Sequence, residues 1–175
     1  MSDSSATDDH SASSPDGHPC HRDHPHKVDQ TQDPPPLAVT LNLAPHPEGG
    51  WFRETWTASQ KLHPKGYSGT RATASAIYFV LAPNEKSKWH IVRSDELWLW
   101  HRGDPLELLL GGSNEQPDIN PSIIRLGPSL EDGEVPQAIV PGGVWQAAQS
   151  VGGETLVSCV VTPAFAQEDF HVLDH

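Results

Sequence analysis

Cysteine is nearly absent from this chain, basic residues are few, and no long apolar run occurs. Each shortage removes a class of protein. The two cysteines, Cys20 and Cys159, lie in a polar stretch and an apolar run respectively. A structural disulfide is therefore not expected, whereas reduced thiols in a cytoplasmic setting are. Cys159 reads as a nucleophile or as a buried inert thiol, and its apolar neighbours favour the second. Lys and Arg number 11 against 23 Asp and Glu, a formal net charge of -12. Such a surface repels phosphate backbones and anionic headgroups, so neither nucleic acid nor a membrane surface is an expected partner. A spanning helix needs about eighteen apolar residues in a row, and no segment approaches that. Met1 to Asp9 has no cationic start and no apolar stretch, so no secretory signal is expected there.

Aromatic residues are missing from the first fifty positions. They carry much of a core's burial energy, so folding belongs to the downstream part. Residues 1 to 36 are mostly Ser, Asp, His and Pro and end in Asp33-Pro34-Pro35-Pro36. With little to bury, this stretch is expected to be a disordered tail. His18, Cys20, His21, His24 and His26 crowd together in it, a composition that can take up Zn, Ni or Cu. Their spacing matches no structural zinc pattern, and Pro19 and Pro25 interrupt it, so adventitious or no binding is expected.

From Leu37 onward short apolar runs alternate with Gly, Pro, Asn and Asp breakers. Ala74 to Leu81, Leu97 to His101, Leu106 to Leu110, Ala138 to Val140 and Leu156 to Val161 read as strands. No long amphipathic helix is evident; at most Leu43 to Pro45 closes a short N-terminal turn or helix. Many short strands with tight turns predict an all-β sandwich or barrel over residues 37 to 175.

One stretch carries chemistry. Trp89-His90-Ile91-Val92-Arg93-Ser94-Asp95-Glu96-Leu97-Trp98-Leu99-Trp100 reads as two strands joined by a tight turn at Ser94-Asp95. By alternation His90 and Val92 share a face, as do Glu96, Trp98 and Trp100. A hairpin register placing His90 opposite Glu96 would set an imidazole against a carboxylate beside aromatic walls. Further on, Pro141-Gly142-Gly143-Val144-Trp145-Gln146 turns into another strand carrying Gln146.

These stretches resemble the paired motifs of the cupin superfamily: His-x-His followed by Glu and Gly, then Pro-x-Gly-x-x-His. His90, Glu96 and Gly103 fit the first motif, Pro141 and Gly143 the second. Two ligand positions depart from it, being Val92 and Gln146. The likeness is closer to one branch, the domain of unknown function 985 or fifth cupin group. It is carried by His46-Pro47-Glu48-Gly49-Gly50-Trp51-Phe52-Arg53-Glu54-Thr55, Ala76 to Leu81, Trp89 to Trp98, Val140 to Ala148, Ser158 to Phe165 and Glu168 to Phe170. The resemblance implies a double-stranded β-helix, or jelly roll, of RmlC-like type, commonly a homodimer.

The superfamily's usual metal site has three His and one Glu. Here a divalent metal would have His90, Glu96 and Gln146, with His46 or His101 as candidates from neighbouring strands. His101 is offset by an odd number from Glu96 and is expected on the other face. The leading expectation is metal-free proton transfer between His90 and Glu96 on a small polar, sugar-like molecule, as in isomerases and epimerases. Tyr78, Trp98 and Trp100 would stack on the ligand, Arg53 would grip an anionic group, and Gln146 would orient it. Glu54, next to Arg53, would face the other way, while Trp51 and Trp56 would pack. The alternatives are a non-catalytic small-molecule binder, a metal-dependent oxygenase or lyase, and a His90–Glu96 pair that only fixes a hairpin. No phosphate loop, dinucleotide fingerprint, Cys-x-x-Cys pair or nucleophile elbow is present.

Overall fold

The computed structural model describes residues 33–173; Cys20 and the His18–His26 cluster lie outside them, with most of the expected tail. Pro36 presets a helical φ, and a five-residue helix α1 (Pro36–Thr40) starts there, burying Ala38. It precedes the expected position: Ala44–Pro45 is instead a strand, β1. Then follow β2 (Trp51–Thr57), β3 (Lys61–Leu62), β4 (Arg71–Ala72), β5 (Ser75–Leu81), β6 (His90–Val92), β7 (Asp95–Gly103) and β8 (Leu106–Leu110). The chain continues with β9 (Ser122–Leu126), β10 (Gln137–Val140), β11 (Trp145–Ser150), β12 (Thr155–Thr162) and β13 (Phe170–Val172). Among the described residues no helix is long and apolar enough to cross a membrane.

Antiparallel pairing builds a six-stranded sheet, β1-β2-β5-β12-β7-β10, and a five-stranded sheet, β13-β6-β11-β8-β9. Their inner faces meet in one core, where Phe79, Trp98 and Val157 of the first sheet join Leu106, Leu108 and Ala148 of the second. This is the expected all-β jelly roll.

The connection at Ser94-Asp95 is not a hairpin. β6 pairs with β11 and β13, whereas β7 pairs with β12 and β10, so the chain changes sheets at this corner. Gly142 fits beneath it, because a side chain there would strike the Arg93 carbonyl. His90 and Glu96 therefore belong to opposite walls of the barrel.

Two bulges set which side chains face inward. In β2 the pairing with β5 slips between Glu54 and Trp56, since Glu54 faces Ile77 but Trp56 faces Ala76. The extra residue, Thr55, moves Trp56 to the outer face, where it is 52% exposed instead of packed. Trp51 stays half-buried. In β7 a second slip places Trp100 opposite Val157 and Arg102 opposite Leu156, leaving His101 without a partner residue in the ladder.

Candidate functional site

Register across the six-stranded sheet brings the inward side chains into rows. Glu96, Val161 and Ser75 form one row, and Trp98, Cys159, Ile77 and Glu54 form the next. These rows roof a cavity of about 160 Å³, closed from the other sheet by His90, Val92 and Phe170. The turn between β1 and β2 adds His46 and Glu48, and Phe52, Phe79 and Phe165 complete the lining. A cavity of similar size, roughly 150 Å³, holds benzene when its walls are apolar. The volume therefore suits a small molecule or the reacting end of a larger one.

The turn that presents His46 and Glu48 is tied down by its own backbone. His46 N–H donates to the Gly50 carbonyl at 2.8 Å, and Gly49 N–H donates back to His46 at 3.0 Å. Gly50 has φ 76°, and a side chain on it would strike the Phe79 ring and the Val80 carbonyl. Only glycine meets both demands.

His90 is held through one nitrogen. Its Nδ1 lies 3.0 Å from the Lys88 carbonyl and 3.1 Å from Glu48 Oε2. A carbonyl can only accept, so Nδ1 carries the proton and Nε2 is the basic nitrogen. No described protein group bonds Nε2, and the ring lines the cavity. Burial pushes the imidazole down to about 4, against a raising influence from the Lys88 carbonyl, so it is neutral at pH 7. His46 shows the opposite tautomer, its Nδ1 accepting from Glu48 N–H at 3.3 Å. Burial, with His90 alongside, likewise brings it to about 4.

The carboxyls move the other way. Burial raises Glu96 to about 7, with hydrogen bonds from Gln146 and Cys159 pulling it back toward the ordinary range. Burial, then the charge of Glu96, pushes Glu48 well above that range. With His90 uncharged, its 3.1 Å contact with Glu48 is not an ion pair. Cys159 is also pushed up, by burial and then by Glu96 and Glu48, so it remains a thiol. A poised nucleophile needs the reverse shift.

Of the residues singled out from sequence, the structure brings His90, Glu96 and Trp98 to the cavity wall, with His46. No hydrogen bond joins His90 to Glu96, so they do not form the hairpin-fixing pair. Gln146 stands behind the wall: its amide N–H donates to Glu96 Oε2 at 2.6 Å, and its oxygen accepts from Trp98 Nε1 at 3.0 Å. It positions Glu96 and is not a lining group.

Arg53, Tyr78 and Trp100 are corrections. Arg53 pairs with Tyr78 on the outer face, stacks 5.7 Å over its ring, and donates to the Leu41 carbonyl. Alternation then turns Glu54, not Arg53, toward the cavity. Trp100 packs against the core, its indole N–H on the Asp104 carbonyl. His101 bonds Ser158 Oγ at 2.6 Å on the outside, the side expected of it. Glu48 and Phe170 escaped sequence reasoning as site residues. Glu48, within His46-Pro47-Glu48-Gly49-Gly50, had a signal: an acidic residue in a glycine turn just before a strand.

The residues do not fit the metal centre usual for the superfamily. Val92 offers no donor, and both ends of the Gln146 amide are engaged. Among the described residues no three His, Cys, Asp or Glu side chains are arranged to hold a metal ion.

Known proteins place the chain. An uncharacterized protein of Saccharomyces cerevisiae, YML079W, is 31% identical over 161 residues, 82% of this chain and 78% of that one. The structure of a hypothetical protein from Leishmania major is similar at 31% identity and a TM-score of 0.70, covering 78% of this chain and 85% of that one. Protein SO0799 from Shewanella oneidensis follows at 30% identity and a TM-score of 0.69, covering 79% and 82%. Bacillus subtilis oxalate decarboxylase, at 15% identity, a TM-score of 0.52 and coverage of 74% and 29%, shares the fold alone. The model of the family Cupin_5, described as cupin superfamily (DUF985), matches residues 36–173, and the chain belongs to that family.

Proposed function

We propose that the barrel binds a small polar molecule and moves a proton on it, with His90 as base and Glu96 as acid. The observation that carries this reading is their placement on opposite walls of one cavity, with shifted proton affinities of reversed order. A base that is neutral above about 4 faces an acid that keeps its proton up to about 7. Both are thus in working form at mildly acidic pH, and environments that separate pairs this way mark acid–base sites.

In an isomerisation or epimerisation, His90 Nε2 takes a proton from a carbon beside a carbonyl. The C–H electron pair forms a C=C bond as the C=O π pair moves onto the oxygen. Glu96 then supplies its proton from the other wall, to that oxygen or to the far face of the carbon. His90 ends protonated and Glu96 ionised, and solvent restores both. The Lys88 carbonyl holds the base in its Nδ1–H form, with Glu48 beside it, and Gln146 holds the acid.

Proton exchange in D2O across a panel of small hydroxy- and keto-compounds, followed by NMR, tests this. Wild type should exchange at least one compound, with a bell-shaped profile whose limbs lie near pH 4 and 7. H90N and E96Q should each lower the rate by roughly 10²-fold or more. Exchange absent throughout the panel, or unchanged in both variants, overturns the reading.

A non-catalytic binder is the second reading, favoured by the aromatic share of the lining, Phe52, Phe79, Trp98, Phe165 and Phe170. It predicts ligand affinity that survives H90N and falls when Trp98 is truncated.

A further inference from the structure

We propose that the ligand of this cavity is a small organic cation, an ammonium-bearing molecule held by carboxylates against aromatic rings. The inference deepens the proton-transfer reading and rests on it for the identity of the site. Three carboxyl groups line the cavity, Glu48 and Glu96 inside and Glu54 on the exposed side, and no Lys or Arg lines it. The nearby guanidiniums are engaged elsewhere: Arg71 binds Glu168 and Asp169, and Arg93 lies 3.9 Å from Asp169. Arg53, the one cation that sequence placed here, faces outward.

Neither imidazole offsets this, because burial keeps His46 and His90 uncharged at neutral pH. An anion entering the cavity would thus meet carboxyl groups and no charged donor, at a cost of desolvation that nothing returns. A cation meets carboxyl oxygens as acceptors, and its charge favours the ionised form of Glu48, whose proton leaves to solvent, so the counter-charge forms as the cation binds. The rings add to this. Phe170 sits 5.5 Å from Phe165 and 5.6 Å from the His90 ring, and His46 meets Phe52 edge-on at 4.6 Å. Aromatic faces attract a desolvated ammonium and accept its alkyl groups, the principle of aromatic cages. A polyhydroxylated sugar would need a partner for each buried hydroxyl, and the Phe, Ile and Val surfaces supply none.

Calorimetric titration of the full chain with three isosteric probes tests the charge preference: isopropylammonium, 2-propanol and isobutyrate. The ammonium should bind at least tenfold more tightly than the alcohol, and isobutyrate should show no saturation. E54Q should weaken the ammonium several-fold and E48Q tenfold or more, with the alcohol unchanged in both. Should E48Q fail to fold, E54Q on the exposed side carries the comparison. Isobutyrate binding as well as the ammonium, no binding by any probe, or indifference to both variants overturns the proposal. Ammonium binding without proton exchange on any compound removes the catalytic reading and leaves this one standing. Exchange confined to anionic compounds does the reverse.

Discussion

Two halves of the same barrel interior are built from the same strands and behave as different materials. On β5, β7 and β12 the inward residues Ser75, Ile77, Glu96, Trp98, Cys159 and Val161 look into space. One or two steps further along these strands, Leu81, Trp100 and Val157 meet Leu106, Leu108, Leu126 and Ala148 in solid packing. Phe79 and Trp98, edge to face at 5.9 Å, form the partition between the halves. Burial is similar on both sides. The difference lies in what the buried groups do: apolar side chains fill volume, whereas the buried His and Glu stand around volume left open.

The largest expected difference between the halves comes from truncation in the solid one. Leu106→Ala should cost roughly 2–5 kcal/mol in urea unfolding, because a fully buried side chain leaves a cavity, with ligand binding retained in the folded fraction.

Removing a charge from the hollow half should act through pH instead. Folding raises Glu96 from 4.5 to about 7, so the native state binds more protons than the unfolded chain between those values. Wild type therefore loses stability as pH climbs through that window, and the loss is complete above 7. E96Q should match wild type near pH 4.5 and exceed it by up to about 3 kcal/mol at pH 8, as read by urea midpoints. H90N should mirror this. Wild type loses stability as pH falls from 6.5 to about 4, where the unfolded imidazole takes a proton that the native one refuses, and the variant should lack that slope.

Cutting the link between the walls is a smaller perturbation. Gln146→Leu leaves the Trp98 indole N–H without its acceptor and should cost about 1–3 kcal/mol in urea unfolding. It also removes a hydrogen bond that lowers Glu96, so the alkaline limb of any activity profile should move above pH 7. Arg53→Ala, on the outer face, should change stability by no more than about 0.5 kcal/mol and leave cavity ligands unaffected. A large loss of affinity there would show that the outer face, not the hollow, holds the ligand.

Strand positions were legible in sequence because period and breakers are local: β8 runs from Leu106 to Leu110 as read, and β5 differs by one residue. His90 and Glu96 were legible through the spacing of the cupin motif. The route by which they meet was not. Ser94-Asp95 has the composition of a hairpin turn, and nothing local says that the next strand joins the other sheet. Arg53 and Glu54 show the same limit. Alternation states that they diverge, but only pairing with Tyr78 and Ile77 decides which enters the barrel. The bulge at Thr55 is likewise a property of two strands together, and it carries Trp56 out of the packing.

The side-chain amide that spans the two walls also settles how the acid is turned. An indole N–H can only give, so the Trp98 contact fixes the oxygen end of Gln146 and turns its nitrogen end toward Glu96 Oε2. That oxygen is engaged as an acceptor, so the orientation of the whole carboxyl in the cavity wall is set through it. Handedness of any product would then trace back to an indole ring that itself transfers nothing.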